Sequence, residues 1–162
     1  MQTITFQKLK ELKRAKNELE KKLNIEIKIQ RKNITFKGDP LEEYEASVIL
    51  DAIKFGFSAK RALALKEESK IFRIVNIKKI TRKKNLKEVR ARIIGKEGKT
   101  KRTIENIADC DIIIKDNEIG IIGDVDSIEE LITAITSLIK GKKQSNTYRY
   151  LERMNRRENT DF

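Results

Sequence analysis

The residues with the clearest capacity for chemistry form one short run, Ile93-Ile94-Gly95-Lys96-Glu97-Gly98-Lys99-Thr100-Lys101-Arg102. Two glycines three apart permit a tight turn with no Cβ in the way, so that backbone can approach a ligand closely. The helix expected to follow offers the free amides and positive dipole end of its first turn, a setting suited to phosphate. Lys96, Lys99, Lys101 and Arg102 supply countercharge around Thr100, and Glu97 works against it. A sugar–phosphate backbone fits such a place. By itself Gly-x-x-Gly is a weak motif, because an ordinary helix C-cap and turn gives the same string. A nucleotide-binding P-loop is excluded, since the chain has no GxxxxGK[ST] and the run follows a helical pattern rather than a strand.

The charge around the run adds weight to a polyanion. The chain of 162 residues carries 37 Lys+Arg against 25 Asp+Glu, a net charge of +12. Between Ile71 and Arg102 stand 13 basic residues and two acids, Glu88 and Glu97, whereas residues 105–141 hold nine acids and two bases. One face of one unit is therefore cationic, and counterion release makes it attractive to nucleic acid. A membrane-binding helix would instead interleave Trp, Phe or Leu along its opposite face, and such partners are few here.

Much other chemistry is ruled out by residue type. With no His and one Cys the chain lacks Ser-His-Asp and Cys-His nucleophile systems, HExxH zinc proteases and Cys/His zinc fingers. A metal-dependent nuclease needs clustered acids beside the basic block, and Glu88 and Glu97 are too few. No catalytic residue, metal ligand or cofactor is assigned. Cys110 falls at a strand position as a small buried hydrophobe, and Asp109 and Asp111 on the opposite face are expected as solvated acids rather than a metal pair. One cysteine, no leader-like segment and no long apolar run give the expectation of a soluble, cytoplasmic protein.

Two copies of one unit must position the loop. Sliding the sequence on itself by 85 residues lays Ile25-Glu-Ile-Lys-Ile29 on Cys110-Asp-Ile-Ile-Ile114, Gly38-Asp39 on Gly123-Asp124 and Gly56 on Gly141, without a gap. Each copy predicts a hairpin, with turns at Lys32-Asn33 and Asp116-Asn117, followed by a helix capped by Asp39 or Asp124. The closing helices carry the stripes Tyr44, Val48, Ile49, Ala52, Ile53 and Ile128, Leu131, Ile132, Ile135, Leu138, Ile139. Before each hairpin another helix is marked by Phe6, Leu9, Leu12, Leu19 and Leu23, and by Ile104, Ile107 and Ala108. The second copy has more in front: Ile71 to Ile80 reads as a strand and Leu86 to Ile94 as a short helix ending at Gly95. The first copy has nine residues before the equivalent point, so its first strand and helix must be reduced, absent or rebuilt, and Lys10-Glu11-Leu12-Lys13 replaces the glycine loop. The expected division is 1–69 for a first unit lacking Gly-x-x-Gly, 70–141 for a second with it, and 142–162 for a basic helical tail.

Helix, Gly-x-x-Gly, basic helix, Ile-rich hairpin and closing helix in that order resemble a type I KH domain, whose loop clamps about four single-stranded nucleotides. The strings Gly95-Lys-Glu-Gly-Lys-Thr-Lys-Arg-Thr-Ile-Glu-Asn106, Ile119-Gly-Ile-Ile-Gly-Asp124 and Thr147-Tyr148-Arg-Tyr-Leu-Glu-Arg-Met154 are similar to the archaeal members of the Partner of Nob family. A generic KH helix has an aliphatic residue where Lys101 stands. The resemblance implies an α+β fold of tandem type I KH-like units, each a three-stranded antiparallel sheet covered by helices on one face, the first degenerate or incomplete. It also implies a non-catalytic ribosome biogenesis factor whose second unit binds the single-stranded 3′ end of the small-subunit (16S) rRNA precursor. Implied partners are the pre-ribosomal small subunit, a Nob-type endonuclease and the alpha subunit of the archaeal initiation factor that delivers initiator tRNA, with no membrane.

In that setting Gly95 to Gly98 and the helix after them hold phosphates, while bases lie on a groove of Ile93, Ile94, Ile112 and Ile114. At least half of those isoleucines are expected in the core. Arg90, Arg92, Lys99, Lys101 and Arg102 give salt-dependent affinity, at a slope of roughly 0.7 per neutralised phosphate. Tyr148, Leu151 and Met154 at spacing three seat the tail helix on the body, leaving Arg149, Arg153, Arg156 and Arg157 outside. The competing reading is a protein–protein adaptor that works through the first unit, with RNA binding secondary and nonspecific.

Overall fold

The computed structural model describes residues 1–160 as two compact units, one of residues 1–68 and one from Ser69 onward. In the first, β1 (Gln2–Thr5), α1 (Lys10–Leu23), β2 (Glu26–Gln30), β3 (Asn33–Lys37) and α2 (Pro40–Phe55) are followed by a single turn of helix, α3 (Ala59–Ala62). In the second, β4 (Lys70–Asn76), a helical turn α4 (Ile77–Ile80), α5 (Leu86–Ile94), α6 (Lys99–Ala108), β5 (Asp111–Lys115), β6 (Glu118–Asp124), α7 (Ile128–Ile139) and α8 (Gln144–Thr160) follow in order. Each sheet is antiparallel with the same order, β1-β3-β2 and β4-β6-β5. Period-two isoleucines place one face of each hairpin inward, and amphipathic helices cover that face.

The repeat extends to individual hydrogen bonds. The carboxylate of Glu20 accepts from the amide of Ile27 at 3.0 Å, and Glu105, 85 positions on, accepts from Ile112 at 3.1 Å. Lys16 pairs with Glu20 and Lys101 with Glu105. Asn24 and Asp109 end their helices in the left-handed region, a conformation their short polar side chains tolerate. Gly38 and Gly123 are matched for a packing reason: a side chain there would press on Ile25 at 3.0 Å or Cys110 at 3.2 Å.

The first copy retains its strand and loses its first helix. β1 pairs with β3 through four residues, and the chain then runs directly through buried Phe6 into α1. That helix starts at Lys10, so Phe6 and Leu9 lie outside it, while Leu12, Ala15, Leu19 and Leu23 fill the core. Other expectations shift by a few residues. The strand expected over Ile71 to Ile80 ends at Asn76, whose side chain caps α4, and the first hairpin turns at Arg31-Lys32. Ser127 rather than Asp124 precedes α7; Asp124 closes β6 and pairs with Lys70 at 3.3 Å. Tyr44 leaves the predicted stripe of α2, 65% exposed beside Leu41 at 69%.

The tail is not an appendage. Leu151 is buried in the core of the second unit, with Tyr148 and Tyr150 against it, and α8 lies on α6 and α7. The four tail arginines of the predicted outer face are exposed. Cys110 is half-buried, and burial first, then Glu105 and the flanking aspartates, pushes its thiol up to about 12, so no thiolate is present at neutral pH. Among the described residues no helix is long and apolar enough to cross a membrane, and no group of acids, cysteine or histidine stands in metal-binding array.

In the first unit Glu11 joins α1 to α3: it meets the guanidinium of Arg14 at 2.6 Å and accepts from the amide of Ala59 at 2.9 Å. Arg14 first and that amide second hold its carboxyl down at about 2 from 4.5. A depressed folded value means that this contribution to stability is complete above about pH 4.5 and lost as pH falls toward 2. Urea unfolding between those values should show a steeper acid loss for wild type than for Glu11→Gln; equal slopes would remove Glu11 from the acid response.

Candidate nucleic-acid interface

α5 ends at Gly95, whose amide donates to Ala91, and the chain reverses through one tight turn before α6. The backbone of Gly95 lies at φ 75°, ψ 173°, a region essentially restricted to glycine. A Cβ there would fall 2.1 Å from Thr100 Oγ1 and 2.6 Å from its Cβ. Gly98 also has positive φ, 76°, but a Cβ at that position meets only Arg102, at 3.4 Å. The first glycine is thus required by packing as well as backbone, and the second by backbone alone. Between them Glu97 is exposed at φ 55°.

α6 begins at Lys99 with no side-chain cap and no acid in its first turn, and Lys99 and Arg102 project into solvent near Lys96. Cations at a helix N-terminus oppose the dipole, by roughly 0.3–1 kcal/mol each. An anion lying over the turn would offset that opposition. α5, the Gly95–Gly98 turn and the start of α6 together make an uncapped, basic cradle.

The structure divides the predicted site residues into exposed and committed groups. Ile93 and Ile112 are each 1% exposed and belong to the core; Ile94 is 37% exposed, and half-buried Ile114 packs against the same core. Ile112 follows Ile27 of the first copy inward, as the repeat requires. Thr100 is buried, its hydroxyl accepting from the Gln144 amide at 3.3 Å. Arg90 is held by the hairpin turn, donating to Asn117 Oδ1 at 2.7 Å and to the carbonyl of Asp116 at 3.2 Å. Arg92 donates to the carbonyls of Gly141 and Lys142 at the end of α7. Lys101 is half-buried on Glu105 at 2.9 Å. Arg90, Arg92 and Lys101 therefore shape the cradle, and Lys96, Lys99 and Arg102 are its outward cations.

Gln144 was not singled out from sequence. Its side-chain amide donates to both the Arg92 carbonyl and Thr100 Oγ1, each at 3.3 Å, so the first residue of α8 bolts the end of α5 to the start of α6. Nothing about a lone glutamine ahead of a basic helix announces this.

The family model of the second KH domain of PNO1, described as a eukaryotic-type KH domain (KH-domain type I), matches residues 71–156, from β4 into α8. The chain belongs to the PNO1 family of KH-domain proteins. Among its PNO1-family relatives, a KH domain-containing protein of Methanocaldococcus jannaschii is 29% identical over 86% of this chain and 64% of its own length. The pre-rRNA-processing protein PNO1 of Saccharomyces cerevisiae is also 29% identical, over 80% of this chain and 49% of its own. The chain thus spans about half to two thirds of the curated relatives it matches. Dim2p of Pyrococcus horikoshii has a similar crystal structure, with TM-score 0.82, 31% identity and coverage of 94% of this chain and 98% of that one. A second structure from the same organism, an a/eIF2alpha–aDim2p–rRNA complex, gives TM-score 0.82 and 30% identity over 96% of this chain and 93% of that one. The predicted fold, tandem KH-like units with the first incomplete, is the fold observed.

The two glycines should respond differently to the same change. Gly95→Ala combines a forbidden backbone with a clash and should cost the second unit about 3 kcal/mol or more, whereas Gly98→Ala should cost about 1 kcal/mol. Chemical denaturation measures both, and equal losses would contradict the close approach of Thr100.

Proposed function

We propose that the second KH unit binds single-stranded RNA and that the protein is a non-catalytic factor of small-subunit ribosome maturation, acting on the 3′ end of the 16S rRNA precursor. The observation that carries this reading is the uncapped, acid-free start of α6 behind two positive-φ glycines, with Lys96, Lys99 and Arg102 exposed around it. Phosphates lie over the turn, and bases pass across Ile94 and Ile114 toward the edge strand β5. The affinity is salt-dependent, with the outward cations displacing counterions. Support for the rRNA comes from the relatives, one described as a pre-rRNA-processing protein and one solved in complex with rRNA and a/eIF2alpha. On this reading the partners are the pre-ribosomal small subunit, a Nob-type endonuclease and the initiation factor's alpha subunit, in the cytoplasm.

The adaptor reading keeps one specific observation in its favour: Leu41 and Tyr44 form an exposed apolar pair on α2 of the unit that lacks the loop. It predicts partner binding that survives changes at Gly98.

Gly98→Asp separates the two readings. Aspartate tolerates the left-handed backbone better than most residues, so the unit stays folded while a carboxylate occupies the phosphate position. Fluorescence anisotropy of labelled strands from the rRNA 3′ end, against a scrambled strand at two salt concentrations, should show preference for the rRNA strand in wild type. The variant should lose at least tenfold in affinity, about 1.4 kcal/mol. Equal binding of both strands by both proteins, abolished by salt, would overturn the proposal and leave the loop as an ordinary turn.

A further inference from the structure

α1 and α8 both carry several cations. On α1, Arg14, Lys16 and Lys22 each pair with a glutamate three or four residues away. On the second unit's surface Lys142, Arg149 and Arg153 have no ion-pair partner among the described residues, although Glu152 stands in the same stretch. The i, i+4, i+7 spacing of Arg149, Arg153 and Arg156 sets them on one side of the helix, about 6 Å apart per four residues. Arg149 and Arg153, four residues apart, are like charges on neighbouring turns, which an anion between them would relieve.

Two concavities run along this stripe. One, of about 390 Å³ between α7 and α8, is lined by Thr133, Ser137, Lys142, Asn146, Tyr150 and Arg153 among others. The other, of about 470 Å³, is lined by Asn146, Arg149, Glu152, Arg153 and Arg156. They share Asn146 and Arg153 and so form one continuous track. Its near end is fixed to the phosphate cradle, because Arg92 of α5 holds the backbone of Lys142 and Gln144 holds Thr100. Hydroxyl, amide and guanidinium groups with one tyrosine ring make a lining suited to sugar–phosphate, with a face on which a base can stack.

We infer that the α7–α8 track, through Lys142, Arg149 and Arg153, is a second phosphate-binding segment that carries the RNA strand onward from the Gly95–Gly98 cradle. This deepens the RNA reading and rests on it. The cradle alone accounts for about four nucleotides; the track extends the footprint and gives a length dependence that the loop by itself does not produce. An acidic protein segment is the other polyanion such a stripe attracts. The hydroxyl, amide and tyrosine groups set among the cations favour RNA, which offers sugar and base as well as phosphate to such a lining.

The test compares the full chain with the double variant Arg149→Gln/Arg153→Gln, using labelled single-stranded RNA of five and of twelve nucleotides across a salt series. Both side chains are exposed, and a matching thermal melt confirms that the fold is kept. Wild type should bind the twelve-mer more tightly than the five-mer. The variant should lose roughly tenfold on the twelve-mer, with a salt slope lower by about 1.4 for two single-strand phosphates, and nothing on the five-mer. An unchanged twelve-mer affinity would overturn the proposal, as would equal losses on both lengths. Displacement of the twelve-mer from wild type by poly-glutamate, but not from the variant, would assign the stripe to an acidic protein instead. Failure of the five-mer to bind wild type would count against the cradle, a result distinct from failure of the length increment.

Discussion

The close approach of Thr100 to Gly95 is the constraint on which the second unit's site depends. It brings the end of α5 and the start of α6 to within van der Waals contact, a geometry open only to glycine in that backbone region. Gln144 then spans the junction from α8, and Arg92 fastens α5 to the end of α7. Four helices and the loop become one support. The turn that follows is held in place without a side-chain cap, so its positive end faces solvent.

The same joint explains why cations near the loop do different work. Arg90, Arg92 and Lys101 have carbonyl or carboxylate partners fixed by the fold, and Lys96, Lys99 and Arg102 project outward. Charge density in the sequence cannot separate the two sets, because both consist of Lys and Arg on one stretch. The separation arises from where α7 and the β5–β6 turn end in space. Lys101 is the exception: the 85-residue offset lays Lys101 and Glu105 on Lys16 and Glu20, and the two copies make the same pair.

Most of the fold was legible because it is written twice. Period-two isoleucines gave both hairpins, and glycine and left-handed helix ends recur at matched positions. The short front of the first copy correctly implied a reduced unit, although a strand survives there because β3 has an open edge to pair with. Boundaries failed where apolar composition outlasts the element, as at Ile77, whose burial reflects a helical turn rather than a longer strand. In the candidate site, the glycines and the outward cations were readable from spacing. Ile93 and Ile112 were not, since an isoleucine on a groove and one beneath it have the same pattern. The tail helix showed its apolar spacing in sequence, but its seat on α6, through Gln144 and Asn155, is tertiary.

The account's central claim is that one uncapped turn in the second unit receives the strand. Amide chemical-shift mapping of the full chain, titrated with single-stranded RNA from the small-subunit 3′ end, tests this directly. The account predicts the largest shifts at Lys96 to Arg102 and at Ile94 and Ile114. Shifts concentrated on α1 or α2, with Gly95 and Gly98 unchanged, would contradict it.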